Sequence, residues 1–134
     1  MSTAGDIRTL ILSDPAVSGL VGNRVYPQIA PEGATYPLVV YSQILRVDPT
    51  GLSTPLSIST VSYEFTAWAE SYITAHDVEV ALVNLLNKYR GTTQSTTIHD
   101  VELISSNDNV VPRADGSQES YYGVVTAFRF TISI

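Results

Sequence analysis

Apolar and polar positions alternate along the chain in a way that divides it into helical, extended and irregular stretches. In Thr3–Ser13 the apolar residues Ile7, Leu10 and Ile11 share one helical face, with Thr3 and Asp6 at capping-box-like spacing. Asp14-Pro15 then restarts a turn of helix, because Asp is a good N-cap and Pro is tolerated in the first turn. That segment stops around Gly19 to Gly22. Val25 and Tyr26 make a short extended piece ended by Pro27, and Pro27, Pro31, Gly33 and Pro37 punctuate a loop over 27–37.

Residues 38–47 predict the first long strand, with Val39, Tyr41, Leu45 and Val47 on one face and Gln43 interrupting them. A second strand over 58–69 alternates cleanly, Val61, Tyr63, Phe65, Ala67 and Ala69 facing one way and Ser62, Glu64 and Thr66 the other. The loop over 48–57 joins them as an antiparallel hairpin. The strongest helix is predicted over 74–90, from the stripe Val78, Leu82, Leu85, Leu86 and Tyr89, with Thr74 and Asp77 as its start signal and Gly91 just past its end. Residues 96–104 and 121–134 read as two more strands, the last with Tyr122, Val124, Phe128, Phe130, Ile132 and Ile134 on one face and Thr126 interrupting. A long hairpin loop over 105–120 connects them. The resulting fold class is α+β: an antiparallel or mixed β-sheet with a short N-terminal helical segment and one long helix packed on one face. No linker or composition shift splits residues 1–134, so a single domain is expected.

Composition narrows the function classes. The 134 residues contain no cysteine, which excludes disulfides, thiolate metal sites and cysteine nucleophiles. Only 15% are charged, against roughly 25% in an ordinary soluble domain, while 15 Ser and 14 Thr supply most of the polarity. So little charge fits either an unusually neutral surface or one partly covered by other chains. The net charge of -6 and the scattering of Arg8, Arg24, Arg46, Lys88, Arg90, Arg113 and Arg129 argue against a general nucleic-acid binder. No apolar run approaches the roughly 18 residues of a membrane span, and Asp6 and Arg8 beside a very short apolar run do not make a signal peptide. Folding in a cytoplasm is the expectation.

Candidate chemistry is thin. The tetrapeptide His-Asp-Val-Glu occurs twice, starting at His76 and at His99, and offers imidazoles and carboxylates of the kind that bind zinc or iron. The first copy falls in a predicted helix and the second in a predicted strand, so the two are not equivalent half-sites. No Gly-x-Ser-x-Gly elbow, Walker loop or Gly-x-Gly-x-x-Gly is present. No metal, cofactor or catalytic residue is therefore assigned. The predicted loops stand out instead: 48–57 carries Leu52 and Leu56, and 105–120 carries Val110 and Val111 beside Arg113. Apolar side chains at hairpin tips either dock onto a neighbour or fold back over their own sheet. On the docking alternative these five residues are the candidate interface.

The run Ile7 to Gly22, then Arg24-Val25-Tyr26-Pro27, Ala30-Pro31-Glu32-Gly33-Ala34 and Tyr36-Pro37-Leu38-Val39-Val40-Tyr41, resembles the small tail completion or tail terminator proteins of long-tailed bacteriophages and related particles. The strand ending in Ala67-Trp68-Ala69, followed by a long helix and two closing strands, matches their layout, so the resemblance covers nearly the whole chain. It implies a non-enzymatic virion subunit at the head-proximal end of the tail, synthesised in the host cytoplasm, that assembles with itself into a hexameric ring. The implied partners are the tail tube protein, which it caps to end polymerisation, and a head-side connector. DNA would pass through the lumen without specific binding. A neighbouring head-to-tail connector component is the alternative within the class, and a small hydrolase or metal enzyme using His76 and His99 the alternative outside it.

Overall fold

A computed structural model describes residues 3–47, 58–93, 96–112 and 120–133. The elements run α1 (Thr3–Ser13), α2 (Pro15–Val21), β1 (Val25–Pro27), β2 (Leu38–Val47), β3 (Ile58–Ala69), α3 (Tyr72–Leu86), β4 (Gly91–Thr93), β5 (Thr96–Pro112) and β6 (Ser120–Ser133). The fold is α+β. Six strands form one mixed sheet in the order β1-β2-β3-β6-β5-β4, antiparallel throughout except for the parallel pair β1 and β2.

The three helices cover one face of the sheet. Ile7, Leu10 and Ile11 of α1, Val17 and Val21 of α2, and Val78, Leu82 and Leu86 of α3 are buried against Val61, Tyr63, Phe65, Phe128 and Phe130. The rings of Phe65 and Phe128, and of Tyr63 and Phe130, meet edge to face with centroids 5.8 and 5.9 Å apart. Each fully buried large side chain contributes on the order of 1.5–3 kcal/mol, so this aromatic layer is the main tie between helices and sheet. Among the described residues, no helix is long and apolar enough to cross a membrane.

Several local expectations hold. Asp14 caps α2 by accepting from the Val17 N–H at 3.3 Å, with Pro15 in the first turn. Strand β3 buries Val61, Tyr63, Phe65, Ala67 and Ala69 as its alternation predicts.

Others are corrected. Asp6 is buried and accepts a 2.6 Å hydrogen bond from Thr96 Oγ1, which links α1 to the start of β5. Helix α3 spans Tyr72–Leu86 instead of 74–90, with Ser71 rather than Thr74 at its N-cap. It stops early because Asn87 turns extended and Lys88, at φ 66°, donates its N–H to Val101 O, diverting the chain into the sheet. Gly91 therefore opens β4 instead of closing the helix.

Leu45 and Val47 do not share a face with Val39 and Tyr41. A bulge between Gln43 and Leu45 inserts one residue, so Gln43 pairs with Tyr63 on the helix-covered face while Leu45 pairs with Ser62 on the opposite, outer face. One inserted residue exchanges the two faces of a strand, and Leu45 and Val47 are left 57% and 51% exposed.

The predicted loop over 105–120 is shorter than expected, because residues 105–112 continue β5 in register with β6 from Ala127 to Ser120. Backbone pairing to a strong neighbouring strand carries this polar stretch, which has little strand propensity of its own. Two bulges in β5, between Ile98 and Asp100 and between Leu103 and Ser105, bend it along the sheet. The loop over 48–57 lies outside the described residues.

Candidate interaction surfaces

The β5–β6 arm beyond Ile104 has a helix-covered side and an outer side, and each carries a distinct group of side chains. On the helix-covered side Ser106, Asp108 and Val110 pair with Thr126, Val124 and Tyr122. There α3 reaches the arm through polar contacts. His76 Nε2 lies 2.9 Å from Asp108 Oδ1 and its Nδ1 lies 3.1 Å from Glu79 Oε1. Tyr72 donates its hydroxyl to Asp108 Oδ2 at 2.8 Å, and Ser106 Oγ donates to Glu79 Oε2. The Tyr72 ring packs on His76, with centroids 4.5 Å apart, and edge-on against Tyr122. The Tyr72 phenol is held above its ordinary pKa, first by that hydrogen bond to Asp108, then by desolvation and by the nearby charges of Asp108 and Glu79.

This cluster links α3 to the arm. Ser106 is bonded to Glu79, not to the imidazole. His99 bonds Ser133 Oγ at 2.9 Å, near the opposite end of β5 from Asp108. The two His-Asp-Val-Glu copies are therefore not brought together, and among the described residues no group of His, Cys, Asp and Glu could hold a metal ion.

The outer side carries an apolar cleft of about 280 Å³ lined by residues that include Ile29, Tyr36, Leu38, Trp68, Val111 and Tyr121. The Tyr36 and Tyr121 rings stack with centroids 4.5 Å apart, so the loop before β2 leans over the arm. Trp68 occupies the space above Gly123, where an added Cβ would stand 2.8 Å from the indole ring. The glycine is needed for that close approach, since its backbone φ lies outside the left-handed region.

Of the five residues predicted as an interface, Val110 and Val111 lie on opposite faces of the arm, 55% and 41% exposed. Leu52, Leu56 and Arg113 lie outside the described residues. Sequence reasoning missed the outer cleft, although Trp68 at a polar position of an alternating strand was its signal. It also missed the exposed apolar pair Ile73 and Val80 on α3.

No curated protein matches this chain. Among solved structures it is similar to a chain described as "Virion of native gene transfer agent (GTA) particle", with a TM-score of 0.67 at 14% identity, over 99% of this chain and 98% of that one. At that identity the likeness shows a shared fold. The family described as tail completion protein gp17 matches residues 5–132. Because that match runs from the first helix through the last strand, the chain belongs to the tail completion protein gp17 family and is a structural protein of phage-type tails.

Proposed function

We propose that the protein closes the tail tube at its head-proximal end as a ring of six copies, ending tube polymerisation and offering its other face to a head-side connector, with no enzymatic activity. The observation that carries this reading is the family match over the whole folded region. Two features of the chain support it. Exposed apolar residues stand toward opposite ends of the sheet, with Ile44, Leu45 and Val47 at the β2–β3 end and Val110 and Val111 on the arm, as suits a subunit held between two neighbours. The two histidines of the enzyme alternative stand apart, each committed to its own hydrogen bonds.

The tube protein, the connector and further copies of this chain are the partners on this reading, and DNA crosses the lumen without specific binding. The net charge of -6 suits such passage, because carboxylates lining a lumen repel phosphates. Electron microscopy of particles assembled without the protein tests the role. Tubes of unregulated length that fail to join heads are expected. Tubes of normal length that only fail to join would replace the terminator reading with the connector one.

A further inference from the structure

The cleft on the outer side of the sheet has braced aromatic walls and an open mouth. Trp68 lies over Gly123 and Tyr36 stacks on Tyr121, so these rings are held in place without an occupant. Ile29 is 79% exposed, the highest value for a large apolar residue among those described, and Val111, which also lines the cleft, is exposed. A cavity of roughly 150 Å³ holds one benzene, so about 280 Å³ leaves room for two side chains of leucine or proline size. Apolar surface gathered in this way is costly to leave in water and marks a docking site.

The chain itself contains a segment of matching chemistry. Two stretches of more than two residues lie outside the described ones, 48–57 and 113–119. The second adjoins the cleft in sequence, but it carries Arg113, Asp115 and Glu119 and nothing apolar larger than Ala114. The first has a single charge, Asp48, and carries Pro49, Leu52, Pro55 and Leu56. Proline-bearing segments suit aromatic-lined grooves, because their stiff backbone gives up little entropy on binding. One copy cannot fill its own cleft with this segment. The cleft lies at the Leu38–Trp68 end of β2 and β3, whereas the segment leaves β2 at Val47 and rejoins β3 at Ile58. Trp68 stands ten residues from Ile58 along β3, which is roughly 34 Å of strand. A ten-residue excursion that must return to Ile58 reaches about 17 Å at most.

We infer that residues 48–57 of one copy occupy the outer cleft of the next copy, with Leu52 and Leu56 against Trp68 and the Tyr36–Tyr121 stack. This rests on the ring reading above and names one contact that closes it. The contact joins two different patches at opposite ends of the subunit, which is the heterologous arrangement that a ring closed by rotation requires. Its chemistry is that of an interface core, which is depleted in charge: no residue lining the cleft is charged, and the segment brings only Asp48, at its margin. It also takes Ile29 and Val111 out of water together with the two leucines.

Two double variants separate the halves of the contact. Leu52→Asp with Leu56→Asp alters the segment, and Ile29→Asp with Val111→Asp alters the cleft at exposed positions, where the melting curve should not move. Each variant alone should be monomeric in light scattering under conditions where the parent assembles. An equal mixture should give a dimer and nothing larger, since one intact segment meets one intact cleft. Trp68, the single tryptophan, reports the cleft directly. A synthetic peptide of residues 48–57 should shift its emission saturably in the segment variant. The same peptide carrying both aspartates should bind at least about tenfold more weakly, because a carboxylate is costly to bury in an apolar site. If the cleft variant melts early, the peptide titration decides by itself, and a silent Trp68 overturns the contact. Assembly of either variant equal to the parent, or a mixture that stays monomeric, would overturn it and leave the ring to other surfaces. Emission that responds to isolated tail tubes and not to the peptide would assign the cleft to the tube protein, and would overturn it too. A parent that is monomeric at every concentration, with and without tubes, would remove the ring and the contact together.

Discussion

His76 Nε2 and Asp108 Oδ1, 32 residues apart in the chain, stand 2.9 Å apart and tie helix α3 to the arm of β5. Both side chains are partly solvated, so the contact contributes less than about 1 kcal/mol to global stability. Its role is local. In His76→Ala the melting temperature should stay nearly constant while amide hydrogen exchange speeds up over residues 105–111. Unchanged exchange there would mean that pairing with β6 alone holds the arm.

Gly123→Ala should destabilise the protein by roughly 1–3 kcal/mol, because the new methyl group meets the Trp68 ring at a distance no real contact tolerates. Adding Trp68→Leu should recover part of the loss. Thermal denaturation of the three variants checks both statements, and a neutral Gly123→Ala would show that the indole moves aside at little cost.

Thr126 interrupts the apolar stripe of β6 and is buried, with a hydroxyl that has no hydrogen-bond partner among the described residues. Thr126→Val removes that unsatisfied group at nearly constant volume. A gain of about 1 kcal/mol is expected in chemical denaturation.

Tyr41 and Tyr63 are held above the ordinary tyrosine pKa chiefly by burial, and Tyr72 chiefly by its bond to Asp108. Each folded site favours the protonated phenol. The stabilisation is therefore complete below the unfolded value of about 10 and is lost as pH rises through the higher folded values. Stability should fall steeply in alkaline solution, and Tyr72→Phe should remove one ionisation from the spectrophotometric titration.

If the segment 48–57 and the arm both dock onto neighbours, Leu52→Asp with Leu56→Asp in the first and Val111→Asp in the second should each block tail completion. Their melting curves should stay within about 0.5 kcal/mol of the parent, as for surface changes. Parallel loss of folding and of tail completion would place these residues in the core.

The chain's own patterning was enough for the elements whose signal is local. The Asp14-Pro15 start of α2, the alternation of β3 and the apolar stripe of α3 each depend on neighbours a few residues away, and all three stand in the structure. The composition also acquires a structural counterpart: β5 from Ser105 to Asn109 is a row of Ser, Asn and Asp, and the polarity that reads as loop belongs to an exposed edge strand. What only the tertiary structure decided are features fixed by distant partners. The bulge after Gln43 turns Leu45 and Val47 outward because β3 sets the register, and α3 ends at Leu86 because Val101 O captures the Lys88 N–H. Strand β5 continues to Pro112 because β6 lies beside it, and His76 meets Asp108 only once helix and arm are packed. Periodicity reports which residues seek burial. It carries no record of which strand will supply the register.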